Sequence, residues 1–198
     1  MQHHYLNNNI DMKRFIILSI LAAIPFFAFS QNSNRSNMKK KTLVAYFSCT
    51  GNTRQLAKTL SDVVDGDLYE ITPATPYTDV DLDWTNEMSR SSVEMKDKSS
   101  RPAISGKLEN MKDYEVIFVG FPIWWYVAPT IINTFLESYD FSGKTIIPFC
   151  TSGGSGVGDT DKYLHPSCSE KTLWRPAKRF ANSTRKPALK NWVEGLKL

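Results

Sequence analysis

The chain has 198 residues, of which 41% are hydrophobic, 22% charged and 12% aromatic, with a formal net charge of +4. This is enough for one domain with a sizeable core and too little for two ordinary domains, and it excludes collagen-like, low-complexity and wholly disordered classes. No Lys/Arg run alternates with aromatics, which speaks against nucleic-acid binding. Of the three histidines, His3 and His4 lie in an irregular N-terminus, and Cys49, Cys150 and Cys168 have no CxxC spacing, so a His-rich or paired-cysteine zinc site is excluded.

Lys13 and Arg14, then an apolar stretch from Phe15 to Phe29 ending in Ala28-Phe29-Ser30, read as a secretory signal peptide over residues 1–30. Met12 is an alternative start. A retained membrane anchor is the competing reading, but the apolar run spans about 15 residues and contains Pro25, short of the roughly 18–20 a spanning helix needs. The expected location is therefore periplasmic after export. Removing residues 1–30 takes away Lys13, Arg14 and Asp11, so the mature charge is 22 − 19 = +3. Residues 31–41 are polar and read as a flexible lead-in, with the folded domain over 42–198.

Thr42–Phe47 is a nearly continuous apolar run, expected to be a strand buried on both faces. Residues Thr53–Val64 place Leu56, Ala57, Leu60, Val63 and Val64 on one helical face, and Asp67–Ile71 is a second strand. Strand, helix and strand within about 30 residues form a βαβ unit and predict a largely parallel sheet. A polar excursion follows from Thr72 to about Asp113, with a helix expected over Trp84–Met95. Tyr114–Gly120 is a third strand, Pro129–Ser138 a helix, and Lys144–Cys150 a fourth strand in which Pro148 suggests a bend. A short fifth strand is expected near Leu173–Trp174, then a final helix from about Thr184 burying Leu189, Trp192, Val193 and Leu196.

In an open parallel sheet, ligands sit beyond the carboxyl ends of the strands. Three loops meet there. Ser48-Cys49-Thr50-Gly51-Asn52-Thr53 leads into a helix start, where unpaired N–H groups attract anions. Its hydroxyls, amide and glycine suit a phosphate without any Lys or Arg, although one such residue would also serve as an ordinary N-cap. The second loop, Phe121–Pro129, carries Trp124, Trp125 and Tyr126 in succession, which either cap the core or offer flat faces to a planar ring. The third, Thr151–Gly158, holds four glycines that permit close backbone approach. Two other phosphate motifs fail: Gly143-Lys144-Thr145 precedes a strand instead of following one, and the Gly153–Gly158 run does not satisfy G-x-G-x-x-G. No acid/base dyad is visible, and His165 reads as a solvated loop residue or a proton donor.

The segments YFSCTGNT (Tyr46–Thr53), GFPIWWYVAP (Gly120–Pro129) and FCTSGGSGVG (Phe149–Gly158) resemble the flavodoxin family, in its bacterial flavodoxin-like branch with an aromatic second loop. The resemblance covers nearly all of the mature chain. It implies an α/β, doubly wound, five-stranded parallel sheet in order 2-1-3-4-5 with helices on both faces, and one noncovalent FMN. Carried onto this sequence, it assigns the FMN phosphate to Ser48, Thr50, Gly51, Asn52 and Thr53. It sets Pro122, Trp124, Trp125 and Tyr126 beside the isoalloxazine, with Thr151, Ser152, Gly153 and Gly154 on its other side. The stacking Tyr of well-studied flavodoxins is absent from the third loop here, and the usual strong acidity is missing too. The function so implied is electron transfer with a partner protein or small-molecule donor or acceptor. The alternatives are an FMN-dependent NAD(P)H or quinone oxidoreductase and a flavin-free binding module. An oxidising compartment would permit a Cys150–Cys168 bridge, against the alternative of three free buried thiols.

Overall fold

A computed structural model describes residues 40–198; the expected signal peptide and nearly all of the lead-in lie outside them. In chain order the elements are β1 (Thr42–Tyr46), α1 (Asn52–Val64), β2 (Asp67–Glu70), β3 (Thr72–Pro73), α2 (Arg90–Lys96) and β4 (Ile104–Ser105). Then follow β5 (Val116–Pro122), α3 (Ile131–Glu137), β6 (Thr145–Thr151), α4 (Thr160–Leu164), β7 (Leu173–Trp174), β8 (Lys178–Phe180) and α5 (Lys186–Leu196). The main sheet runs β2-β1-β5-β6-β7, every pair parallel, with β8 beside β6 as a second segment of the edge. With β1, β2, β5, β6 and the β7–β8 edge counted as strands one to five, this is the expected 2-1-3-4-5 order.

Alternation along the buried strands divides the core. Leu43, Ala45 and Phe47, with Ile117, Val119 and Phe121, point toward α3, where Ile131, Ile132, Phe135 and Leu136 cover them. Val44 and Tyr46, with Phe118, Ile147 and Phe149, point the other way, against Leu56, Ala57 and Leu60 of α1 and Leu189 of α5. Gly120 leaves room for the Phe149 ring, since a Cβ there would lie 2.3 Å from it.

β6 runs unbroken through Pro148 and pairs with β5 at every residue from Thr145 to Thr151. The Ile146 carbonyl accepts from the Arg175 N–H, so Pro148, two residues on, turns its donorless nitrogen toward the same edge. The edge strand breaks there, between β7 and β8, which pair with β6 on either side of Pro148. A second correction concerns the excursion. Its helix starts at Arg90, not Trp84, because the Ser89 hydroxyl accepts from the Ser92 N–H and caps it. Upstream, the Asp83 carboxylate accepts from the Thr85 N–H and the Asn86 side chain from the Met88 N–H, which hold the chain in turns. The excursion is also tied off by the unforeseen β3–β4 ladder.

Among the described residues no helix is long and apolar enough to cross a membrane. All three cysteines are free, so the Cys150–Cys168 bridge is not formed.

Candidate functional site

The loops after β1, β5 and β6 converge with the excursion around a cleft of about 480 Å³, within the range of ligand pockets. The first loop contributes Ser48, Cys49, Thr50 and Thr53 to its lining. Gly51 stands at φ 88°, and its N–H donates to the Ser48 hydroxyl at 3.1 Å. That left-handed turn leads into α1 beside the cleft, and no side chain caps the helix, so its first-turn N–H groups lack a capping partner. The Asn52 amide donates to the Thr50 hydroxyl at 3.3 Å. The buried Thr53 hydroxyl lies 2.8 Å from that of Thr151, which joins the first loop to the end of β6.

Pro122, Trp124, Trp125 and Tyr126 of the second loop all line the cleft. The Trp124 N–H donates to the Val127 carbonyl at 2.9 Å and the Val127 N–H to that of Trp124 at 3.0 Å, closing a tight turn. Trp125 (φ 45°) and Tyr126 (φ 68°) form its tip in the left-handed region, which bulky residues rarely occupy. The three aromatics take separate roles. Trp124 packs edge-on against Phe47 and Tyr77, while Trp125 and Tyr126 are 41% and 71% exposed at the rim. Gly158 (φ 51°) passes beneath the tip, where a Cβ would lie 2.0 Å from the Tyr126 carbonyl oxygen.

In the third loop Gly153 and Gly154 are exposed, and Ser155 is its contribution to the lining. Ser152 donates to the Ser155 carbonyl and accepts from Arg179 Nε at 2.8 Å. Seven of the expected site residues thus line the cleft. Gly51, Asn52, Thr151, Ser152, Gly153 and Gly154 flank it.

Sequence reasoning missed Leu82, Trp84 and Ser91, which the excursion brings to the lining, as well as Cys49, Ile123 and Ser155. The excursion is bolted down beside them. Arg90 Nε donates to Glu94 at 2.7 Å, the Tyr77 hydroxyl donates to Glu94 at 2.5 Å, and the Arg90 guanidinium stacks over the Tyr77 ring at 3.9 Å. Burial pushes the Cys49 thiol up to about 12, so it stays neutral at ordinary pH. The lining holds no carboxylate, imidazole or Lys/Arg among the described residues. His165 stacks on Trp174, outside the cleft.

A parallel sheet in this order, with a cleft across the strand ends and an uncapped helix starting beside it, defines a flavodoxin-like α/β protein. The flavodoxin family profile matches residues 41–196, and the chain belongs to that family. A candidate flavoprotein from Bacteroides eggerthii is 48% identical, with 80% of this chain and 99% of that one covered and a TM-score of 0.75. A second, from Bacteroides uniformis, is also 48% identical, with 78% and 98% covered and a TM-score of 0.74. A Lactobacillus acidophilus flavoprotein solved in complex with FMN shares the fold at 21% identity, with 71% and 93% covered and a TM-score of 0.57. No curated protein matches the chain.

Proposed function

We propose that this protein binds FMN noncovalently and transfers electrons, acting as a carrier outside the cytoplasm. The donor set fits the cofactor. Neutral hydroxyls of Ser48, Thr50 and Thr53 surround the uncapped start of α1, a combination suited to a phosphate, while the aromatic turn suits a planar ring. Membership of the flavodoxin family and the FMN complex of a protein with the same fold support the same cofactor. Bound FMN would supply redox chemistry at its isoalloxazine ring. The chain's own residues bind the phosphate, orient the ring against the Trp124–Val127 turn and keep water from its inner side.

The observation that favours a carrier is a described lining without carboxylate, imidazole, Lys or Arg, in which burial holds the Cys49 thiol neutral. A second reading, an FMN-dependent NAD(P)H or quinone oxidoreductase, draws support from the exposed, side-chain-free Gly153 and Gly154, which leave a small substrate room to approach. The visible spectrum of the purified protein tests the cofactor. Steady-state NADH oxidation with a quinone acceptor tests the second reading: turnover above that of free FMN supports the enzyme, and its absence supports the carrier.

The partner is proposed to be acidic where it docks. Arg175, Lys178 and Arg179 are exposed on the edge beside the third loop, and residues 171–198 hold eight Lys/Arg against a single Glu.

A further inference from the structure

We propose that the Thr72–Asp113 excursion supplies a wall of the cofactor site of its own, in which Ser91 donates a hydrogen bond to the ribityl-phosphate tail and Trp84 covers the ring. This rests on the FMN reading above and assigns two residues that none of the three flavodoxin loops contains.

Ser91 carries the argument. The residue lines the cleft together with Ser48, Thr50 and Thr53, yet it is only 1% exposed and its buried hydroxyl has no hydrogen-bond partner. Its neighbours differ. Ser89 and Ser92 satisfy each other, hydroxyl to hydroxyl at 2.9 Å, in capping α2. The Ser91 backbone N–H is spent on the Asp81 carbonyl at 3.0 Å, which leaves the hydroxyl alone without use. A buried hydroxyl without a partner is a cost that alanine would remove, so a polar ligand atom is the natural partner.

Trp84 makes the complementary case. It is 75% exposed, although it lines the cleft, so water meets an indole that the core does not require. The third loop offers no aromatic side chain, and Trp84 is the one lining aromatic outside the Trp124–Tyr126 turn among the described residues. Elsewhere in the excursion Tyr77, hydrogen-bonded to Glu94 beside Arg90, packs edge-on against Trp124 at 5.4 Å. That contact joins the excursion to the aromatic turn.

FMN titration into the full apo chain, followed by flavin fluorescence, tests both residues, with thermal melts of each apo form. Ser91→Ala should raise the FMN Kd about 5–20-fold, the scale of one lost hydrogen bond to a polar or charged group. The apo melting temperature should stay unchanged or rise, because the orphan is gone. A serine that is merely structural would do the reverse. Trp84→Ala should raise Kd about tenfold and restore part of the quenched fluorescence, and Trp84→Phe should recover most of both. Wild-type affinity in Ser91→Ala overturns the hydrogen bond. Wild-type affinity and quenching in Trp84→Ala overturn the ring cover. Failure of the wild-type chain to bind FMN overturns instead the reading on which both rest.

Discussion

The turn Trp124-Trp125-Tyr126-Val127 shows what one residue's backbone contributes. A left-handed conformation costs a non-glycine residue roughly 1–2 kcal/mol, and two bulky aromatics occupy it in succession. Such strain at a cleft rim is a cost in stability carried where the turn displays its aromatics. Tyr126→Gly should therefore cost the apoprotein little, because 71% of the side chain is already exposed and the φ of 68° suits glycine. It should still weaken FMN. Chemical denaturation is the check, and a loss above about 1 kcal/mol would contradict the strain argument. Gly158→Ala should act in the opposite sense. Its methyl group would collide with the Tyr126 carbonyl, destabilising the fold by about 1–3 kcal/mol and loosening the turn.

The cysteines are also a residue-scale matter. Burial raises all three thiols to about 12, so few are thiolate at neutral pH. A thiol-specific disulfide reagent at pH 8 should react slowly with native protein and rapidly with three groups on unfolding, without reductant. Fewer than three would reveal a bridge.

At the scale of elements, α1 joins fold to function. Its inner face packs Leu56, Ala57 and Leu60 on the sheet while its uncapped start lies beside the cleft. Replacing Thr50 and Thr53 together by Ala should weaken FMN by about 1–3 kcal/mol while riboflavin, which lacks the phosphate, is hardly affected. Equal losses for both ligands in parallel titrations would remove the phosphate from this loop. The excursion is tied to α3 by a two-pronged pair: Arg101 Nε and Nη2 each donate to Glu137 at 2.8 Å, and the Ser167 hydroxyl donates to the same carboxylate at 2.9 Å. Arg101 holds the Glu137 carboxyl below the usual glutamate range. A depressed folded-state pKa contributes stability that is complete above the ordinary value of about 4.3 and lost as pH falls through the folded value. Both partners are partly exposed, so the contribution is about 0.5–1 kcal/mol. Wild type should exceed Glu137→Gln by that margin at pH 7, and the margin should shrink as the pH falls below the ordinary glutamate value. A pH-independent gap would assign the difference to packing.

For the whole molecule, the signal-peptide reading predicts that protein recovered from the producing cell begins at Gln31 and carries a charge of +3, which N-terminal sequencing decides. An intact Met1 or Met12 in the cytoplasm would return the apolar stretch to another role. By itself the sequence determined β1, β2, β5, β6 and β7, the helices α1, α3 and α5 and the three loops, because apolar runs such as Thr42–Phe47 and the i, i+3, i+4 face of α1 are local signals. The strand order came with the family resemblance those loops carry. Only the tertiary structure decided what depends on separated partners. The edge beside β6 breaks opposite Pro148 while β6 itself runs on, since the outcome depends on which edge its donorless nitrogen faces. The left-handed turn at Trp125 and Tyr126 required Gly158 beneath it. Ser91 and Trp84 line the cleft from a polar excursion whose Tyr77, bonded to Glu94 beside Arg90, packs against Trp124. No periodicity in residues 72–113 encodes that contact, because Tyr77 and Trp124 are distant in sequence and meet only in the tertiary fold.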